Sequence, residues 1–215
     1  MSRKGPEYIR GESKRALDLG VAAASLLLLS PALVTGVAIS AYDTRMTPIF
    51  TQPRRGKAGK TFDAIKIRTM PGDVKDNVMQ GTQGTFDNRA SNICKLLRRS
   101  GLDEMPQLWN VIRGDMHVIG IRPMLQDDLN RWQDVDGSLF ADYIEAYDVC
   151  PGLTGPDQLY RKRQKDCNSP NVIKHSMRLG IDYVENASLV RDVRILAQTV
   201  PAILGIISPF DQIAS

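Results

Sequence analysis

The sequence is poor in the residues that build metal centres and disulfide frameworks. It holds three cysteines and two histidines among 215 residues. Cys94, Cys150 and Cys167 form no C-x-x-C pair and have no usual zinc spacing to His117 or His175. This pattern argues against a structural zinc site, and we interpret the cysteines as reduced thiols in a cytosolic compartment.

Common catalytic signatures and a strong excess of charge are also missing. The chain has no G-x-S-x-G and no dinucleotide fingerprint, and the basic turn around Gly56 and Gly59 lacks the Gly-Lys-Ser/Thr ending of a phosphate loop. Its net charge is only +4, from 28 basic and 24 acidic residues. No basic stripe interleaved with aromatic residues occurs, so nucleic acid is not an expected partner. The modest positive charge fits anionic lipid and a phosphorylated substrate equally well.

What the sequence does contain is one long apolar run near its beginning. No charged residue occurs from Leu19 to Tyr42, and about 20 apolar residues are enough for a helix that spans a bilayer. Ser30 and Pro31 lie in the middle of the run, where proline removes a backbone donor and disturbs the helical hydrogen bonds. Basic residues flank both ends, so the positive-inside rule does not place the ends on opposite sides.

Two membrane topologies are consistent with this run. A proline-kinked transmembrane helix is the commoner structure, and the segment by itself favours it. The alternative is a re-entrant helix-break-helix that enters and leaves by the cytoplasmic face, with the Ser30 hydroxyl bonding a backbone group freed by Pro31. A cleaved signal peptide is disfavoured, because its apolar core is usually about 7–15 residues long.

The remainder of the chain predicts short strands and amphipathic helices, and hence a helix-rich mixed α/β fold. Residues 47–70 are typical of two strands joined by a basic turn, with Phe62, Ile65 and Ile67 in the core. Residues 71–88 are rich in Gly, Asp, Asn and Thr, which predicts a mobile loop.

Helices are predicted over residues 90–99, from about Asp103, over 139–149 and over 188–200. For the first three, the expected apolar faces are, in order, Ile93, Leu96 and Leu97; Leu108, Trp109 and Ile112; and Phe140, Tyr143, Ile144 and Tyr147. The aromatic stripe of the third has two interpretations. Packing on the core is favoured, and an interfacial helix against lipid headgroups is the alternative.

An adjacent acid pair, Asp103 and Glu104, lies between two groups of arginines. A carboxylate at the start of a helix is most often a cap that accepts amide hydrogen bonds of the first turn. The same position can serve chemistry, because amides at a helix start bind phosphate oxygens and an ionised aspartate can attack phosphorus. Asp103 and Glu104 could together hold Mg²⁺, which favours few carboxylates and completes its shell with substrate oxygens.

The candidate phosphate-binding cations are Lys66, Arg68, Arg98, Arg113 and Arg122. Arginine can bind phosphate through two parallel hydrogen bonds. Lys66 and Arg68 alternate along the second predicted strand, so their side chains share one face. Each of these cations is by default a solvated surface charge, and only the group around one acid pair suggests phosphate chemistry at a membrane surface.

Several short elements follow one another along the chain. They are Lys14-Arg15-x-x-Asp18 before the apolar run with Ser30-Pro31, Gln52-x-Arg54-x-Gly56, Lys66-x-Arg68-Thr69-Met70, Arg98-x-x-x-Leu102-Asp103-Glu104-x-Pro106-Gln107-Leu108-x-Asn110-Val111, Gly114-Asp115-Met116, Arg122-Pro123, Pro151-Gly152-x-Thr154-Gly155 and Asp182-Tyr183-Val184. This ordered set, over about residues 14–199, resembles the bacterial sugar transferases, the monotopic phosphoglycosyl transferases. The resemblance displaces the capping and spanning-helix interpretations. Ile121 departs from the family, which usually has proline there.

The resemblance implies a re-entrant membrane anchor at residues 1–45 and a catalytic domain with interfacial amphipathic helices at 46–215, on the cytoplasmic face of the bacterial inner membrane. It implies transfer of a sugar-1-phosphate from a nucleoside-diphosphate sugar, with uridine the expected base, to polyprenyl (undecaprenyl) phosphate in glycan or exopolysaccharide assembly. By the same resemblance, Asp103 would form a covalent phosphosugar intermediate, Glu104 would bind Mg²⁺, and Arg98 and Arg122 would bind phosphate. A non-catalytic membrane scaffold that binds nucleotide-sugars or anionic lipid is the alternative.

Overall fold

The computed structural model describes residues 4–72, 90–149, 151–164 and 166–203, and the predicted loop therefore lies outside the described residues from 73 onward. The elements in chain order are α1 (Lys4–Arg10), α2 (Glu12–Thr44), β1 (Ile49–Arg55), a 3₁₀ turn (Lys57–Gly59), β2 (Thr61–Ile67), α3 (Asn92–Arg99), a 3₁₀ helix (Leu102–Gln107), α4 (Leu108–Arg113), β3 (His117–Ile119), α5 (Gln126–Val135), α6 (Gly137–Tyr147), β4 (Gly152–Thr154), α7 (Pro156–Lys162), α8 (Pro170–Glu185) and α9 (Leu189–Ile203). The helix-rich mixed α/β prediction is confirmed.

Two small sheets organise the part of the chain after α2. Strands β1 and β2 form the predicted antiparallel hairpin, with Ile49 opposite Ile67. Strands β3 and β4 pair in parallel, with His117 opposite Gly152. Strand β2 of the first sheet contacts the 3₁₀ helix that bears the acid pair. The second sheet belongs to the main hydrophobic core, together with residues of α6, α8 and α9.

The aromatic stripe of α6 packs on the core, which confirms the favoured interpretation. Tyr143 and Tyr147 are fully buried, and the Tyr143 ring lies 5.3 Å from that of Trp132. The Tyr147 hydroxyl donates to the Arg55 carbonyl at 2.6 Å and accepts the Met124 amide at 3.0 Å. Helix α6 is therefore not the lipid-facing element.

Three apolar side chains predicted on buried faces are exposed instead. Ile93, Leu96 and Trp109 are 51 %, 63 % and 52 % exposed. Helix α3 buries Cys94 and Leu97, and neighbouring residues on a helix point about 100° apart. Ile93 and Leu96 consequently lie to one side of the buried face. Trp109 is displaced from the core in the same way, because it directly follows the buried Leu108 on the same short helix.

The long helix α2 corrects the predicted helix-break-helix. Its helical backbone continues for 33 residues through Ser30 and Pro31. Pro31 cannot donate to the Leu27 carbonyl four residues earlier. The Ser30 hydroxyl donates to that carbonyl at 2.8 Å, which confirms the predicted role of Ser30 and lets the helix continue.

Both ends of α2 pack against the rest of the chain, while several large apolar side chains in its middle are exposed to solvent. Near its start, Arg15 donates to the Val111 and Ile112 carbonyls at 2.6 Å each. Near its end, a Cβ added to Gly36 would lie only 3.3 Å from Ile67, and the Ser40 hydroxyl donates to a backbone carbonyl just after β2 at 2.5 Å. Between these contacts Leu27, Leu28 and Val34 are 70–77 % exposed, whereas Leu26, Leu29 and Leu33 are partly buried. Within the described part of the chain, α2 is the helix long and apolar enough to cross a membrane.

A buried polar group, which we call the anchor cluster, holds the start of α2. Its five side chains are Lys14, Asp18, His117, Tyr183 and Asp192. The Lys14 ammonium bonds Asp18 at 3.1 Å and Asp192 at 2.7 Å, His117 Nδ1 lies 2.5 Å from Asp18, and the Tyr183 hydroxyl donates to Asp192 at 2.8 Å. These contacts explain the spacing Lys14-Arg15-x-x-Asp18, because residues four apart share one face of a helix.

Candidate active site

The acid pair sits on the first turn of the 3₁₀ helix that leads into α4. This helix begins after Gly101, whose φ of +70° is a conformation that glycine adopts readily. Gly101 occupies the cap position, and Asp103 and Glu104 lie two and three residues beyond it. The acids are thus inside the first turn, and the capping interpretation of Asp103 does not describe the structure.

Glu104 is ion-paired with Lys66 from β2. Its Oε1 lies 2.8 Å from the Lys66 ammonium, and the two side chains are 28 % and 12 % exposed. Lys66 is the main reason that the pKa of Glu104 is held well below its usual range, against the opposing effect of burial. Burial in turn lowers the pKa of Lys66, although the Glu104 charge opposes it. Glu104 therefore remains an anion at neutral pH.

Asp103 behaves in the opposite way to its neighbour. Burial first, and then the charge of Glu104, raises the pKa of Asp103 to about 7, although Lys66 and Arg98 oppose this. A pair of nearby carboxylates with separated pKa values is typical of sites where the two acids have different roles. Asp103 is ionised in about half of the molecules near neutral pH.

Glu104 lines a small, partly open pocket whose wall is strongly basic. It is lined by three cations, Arg54, Lys66 and Arg122, and by one acid, Glu104. The excess of two positive charges is confined to a partly enclosed space, where an anion is attracted more strongly than in bulk water. Amide side chains complete the wall, from Gln107 and Gln158.

Arg122 reaches this pocket although proline is absent from the preceding position. Ile121 forms a parallel bridge to Pro151, its carbonyl accepts the Gly152 amide at 2.7 Å, and the Arg122 amide donates to buried Asp157 at 3.4 Å. The Arg122 Nε is buried and has no hydrogen-bond partner within the described ranges. This backbone pairing holds the chain before Arg122 in place, which is the role that proline would otherwise have at this position.

The structure separates the five predicted phosphate-binding cations. Lys66 and Arg122 line the pocket, and Arg98 lies close enough to Asp103 to lower its pKa. Arg68 lies just past the end of β2, where it donates to the Thr47 and Gly72 carbonyls at 2.9 and 3.0 Å. Arg113 is 56 % exposed and lies 3.5 Å from Asp115. Neither Arg68 nor Arg113 lines the pocket.

Comparison with known proteins identifies the family. The model of the bacterial sugar transferase family matches residues 9–205, which is most of the chain. The chain belongs to the bacterial sugar transferase family. It is accordingly a sugar-phosphate transferase enzyme.

Named relatives in this family differ in length from the chain. It is 32 % identical to the UDP-glucose:undecaprenyl-phosphate glucose-1-phosphate transferase of Caulobacter vibrioides, covering 89 % of this chain and 69 % of the relative. It is 30 % identical to the exopolysaccharide production protein ExoY of Sinorhizobium fredii, covering 91 % and 87 %. It is 32 % identical to a UDP-galactose-lipid carrier transferase of Erwinia amylovora, covering 89 % of this chain but only 40 % of that protein.

Several residues of this sugar transferase's site were not among the predicted site residues, including Arg54, Asn110 and the pocket glutamines Gln107 and Gln158. Arg54 lines the pocket from β1, and its sequence signal is the Gln52-x-Arg54 spacing, which places both side chains on one face of a strand. Asn110 is fully buried and connects the acid-bearing segment to β2. Its side-chain oxygen accepts the Ile65 amide at 3.1 Å, and its side-chain nitrogen donates to the Asp63 carbonyl at 2.9 Å. Asn110 thereby fixes α4 against the strand that carries Lys66.

The transferase's acid pair fits a divalent cation only in part. Among the described residues, no three acidic, His or Cys side chains converge on one point. Mg²⁺ is usually held by one or two carboxylates and completes its shell with water and phosphate oxygens. Asp103 and Glu104 can supply those two carboxylates, so the chemistry of these residues is compatible with Mg²⁺.

Proposed function

We propose that this transferase moves a sugar-1-phosphate from a UDP-sugar to undecaprenyl phosphate, as a membrane step of glycan or exopolysaccharide assembly. The observation that carries the proposal is a basic pocket lined by Arg54, Lys66 and Arg122 and by Glu104, the sequence neighbour of Asp103; the charges of Glu104 and Lys66 act on the Asp103 carboxyl. A basic pocket suits a diphosphate, and an adjacent carboxylate suits attack on phosphorus. The names of the relatives support undecaprenyl phosphate as the lipid carrier and uridine as the nucleotide base.

The proposed chemistry has two displacement steps at one phosphorus. An Asp103 oxygen attacks the phosphorus that carries the sugar, and the bond to the nucleoside monophosphate breaks. An oxygen of undecaprenyl phosphate then attacks the same phosphorus, the bond to Asp103 breaks, and the carboxylate is restored. Two steps suit two anionic substrates, because they need not occupy the pocket together.

The other residues have supporting roles in this mechanism. Lys66 keeps Glu104 ionised and correctly placed, and Arg98 favours the ionised form of Asp103. Arg122 binds phosphate, and its buried Nε has no hydrogen-bond partner among the described residues. When bound by Glu104 and Asp103, Mg²⁺ would neutralise phosphate charge and lower the barrier to attack.

The proposed topology is a membrane anchor at residues 1–45 that does not cross the bilayer and is formed by the continuous helix α2 in place of the predicted helix-break-helix, with the catalytic domain at 46–215 on the cytoplasmic face of the inner membrane. Support comes from the packing of α2, whose start and end both contact the same domain. A bilayer cannot pass between two segments that pack on one domain, whereas the exposed middle around Leu27 and Leu28 is free to enter lipid. Cysteines introduced near residues 5 and 44 should both react only from the cytoplasmic side.

The lipid-facing surface of the domain is proposed to include α3. Exposed Ile93 and Leu96 lie on this helix, which packs against the second half of α2, and Trp109 is exposed nearby in sequence on α4. Lys95 and Arg99 give α3 the basic character that favours anionic headgroups. The interfacial helix is therefore α3, in place of the aromatic α6 considered from the sequence.

The test of the function is capture of the covalent intermediate. Enzyme in detergent or nanodiscs is incubated with Mg²⁺ and a UDP-sugar labelled at the sugar phosphate, then quenched under conditions that preserve acyl phosphates. Label is expected on Asp103, and it should be absent from Asp103→Asn but present in the surface control Asp127→Asn. Full turnover by Asp103→Asn would remove the nucleophile assignment. A scaffold without catalysis would release no nucleoside monophosphate when both substrates are present.

A further inference from the structure

Arg54 is a buried arginine whose position is fixed before any ligand arrives. Only 6 % of it is exposed, and it lines the basic pocket. Its Nη1 donates to the Pro123 carbonyl at 3.0 Å, and its Nη2 donates to Gln52 Oε1 at 2.7 Å. A guanidinium has five N–H donors in one plane, so these two bonds set the plane and leave donors for another partner.

The charges around Arg54 are unbalanced in a way that an anion would correct. The Nε atoms of Arg54 and Arg122 are both buried without a hydrogen-bond partner in the described parts of the chain. Burial, and then the charge of Arg122, lowers the pKa of Arg54 to about 10. The acid that lines the pocket, Glu104, is bonded to Lys66. Unpaired buried donors and adjacent like charges are both unfavourable in the absence of ligand.

We propose that Arg54 is a phosphate-binding residue that holds the donor's diphosphate opposite Arg122, and that Gln52 is the residue that positions it. This inference rests on the proposed function and adds a binding contact to it. A diphosphate has anionic oxygens on two phosphorus atoms, and these match two separate guanidinium groups. The bond from Arg54 to the Pro123 carbonyl also ties the two arginines together, because Pro123 directly follows Arg122.

The first experiment measures binding in the absence of turnover. Titration calorimetry follows UDP with Mg²⁺ binding to the full chain carrying Asp103→Asn. Adding Arg54→Lys, which keeps the charge but loses the planar fork, should raise the Kd at least tenfold, as expected for loss of one charge-assisted contact. The matched control is Arg55→Lys, since Arg55 is the neighbour on β1 and its side chain lies toward Asp148, outside the pocket. Equal Kd values for the two variants would overturn the inference.

The same titration separates this inference from the proposed function. If neither the unaltered enzyme nor Asp103→Asn binds UDP, the proposed function fails. If it binds UDP but Arg54→Lys has no effect, only the assignment of Arg54 fails. Binding of undecaprenyl phosphate is measured in nanodiscs in parallel, and weakening of the lipid substrate alone would overturn the assignment to the donor.

A second variant guards against misfolding when the buried arginine is changed. Gln52→Glu keeps an acceptor for Arg54 but adds a carboxylate that competes with phosphate, on a half-buried side chain. In otherwise unaltered enzyme, it should raise the KM for the UDP-sugar about tenfold and leave the KM for undecaprenyl phosphate and the Tm unchanged. Gln126→Glu, on exposed α5, is the control for added charge. An unchanged donor KM, or a lowered Tm without any change in KM, would contradict the positioning role.

Discussion

The anchor cluster and the basic pocket both bury charged side chains, but they satisfy them differently. In the anchor cluster each carboxylate oxygen has a partner: Asp18 bonds Lys14, His117 and the Val118 amide, and Asp192 bonds Lys14 and two tyrosine hydroxyls. In the pocket, cations outnumber acids by three to one, and two arginine Nε atoms have no partner within the described residues.

This difference distinguishes a structural polar cluster from a ligand site. A fully hydrogen-bonded cluster holds a geometry that already exists, and removing one member leaves buried charges uncompensated. A group with excess positive charge and unsatisfied donors attracts an anion that the folded chain itself does not supply. The anchor cluster thus attaches α2 to the rest of the fold, and the pocket has the features of an anion site.

The largest effect on stability is expected from removing Lys14, the cation of the anchor cluster. Lys14→Met leaves two fully buried carboxylates without their shared partner, and the expected destabilisation is about 3–5 kcal/mol. For a chain of this size this lowers Tm by roughly 10 °C in detergent. The matched control, Lys174→Met, breaks an exposed pair with Asp136 and should cost no more than about 1 kcal/mol. Equal Tm values for the two variants would show that the cluster does not hold the helix.

Removing a cation from the pocket should have the opposite result, with a large loss of activity and little change in stability. Arg122→Met relieves repulsion with Arg54 and deletes a buried Nε that has no partner among the described residues. These gains offset the lost attraction to Asp157 and Glu104, so Tm should stay within about 2 °C of the unaltered enzyme. The kcat/KM should fall about 10²–10³-fold, because charge developing on phosphate loses a preorganised donor. Arg113→Met, which changes an exposed arginine outside the pocket, is the control for both readings. A large loss of Tm with Arg122→Met would place it among the structural residues.

Local features of the fold could be predicted from the sequence, because they depend on neighbouring residues. The β1–β2 hairpin followed from two apolar strands around a glycine turn, and the Ser30 bond to the Leu27 carbonyl followed from the position of Pro31. The pairing of Lys14 with Asp18 is likewise a local four-residue spacing. Their partner Asp192 lies 178 residues away from Lys14, and no spacing indicates that contact.

The composition of the site was only partly predictable for the same reason. Lys66 and Arg68 alternate as expected, yet β2 ends at Ile67, and Arg68 turns to carbonyls that only the folded chain brings near it. Arg54 was missed because its tie to Pro123 crosses 69 residues. The exposed Ile93 and Leu96 were predicted to be buried because an apolar pattern alone does not show which of its side chains the folded chain covers.

The smallest expected effect concerns the proton on Asp103, whose pKa of about 7 contrasts with the depressed pKa of Glu104. Attack requires the ionised form, so the single-turnover rate of monophosphate release should rise with pH and level off above about pH 7. At pH 6 only about a tenth of the carboxyl is ionised, and the rate should be about tenfold below its plateau.

The raised pKa of Asp103 also makes the stability of the fold depend on pH. Because the folded state holds the proton more tightly than the unfolded state, it loses stability as pH rises from about 4 to 7. Asp103→Asn should therefore have a higher Tm than the unaltered enzyme at pH 8 but the same Tm near pH 4. A single-turnover rate of the unaltered enzyme that is independent of pH from 5.5 to 8 would contradict this assignment of the proton.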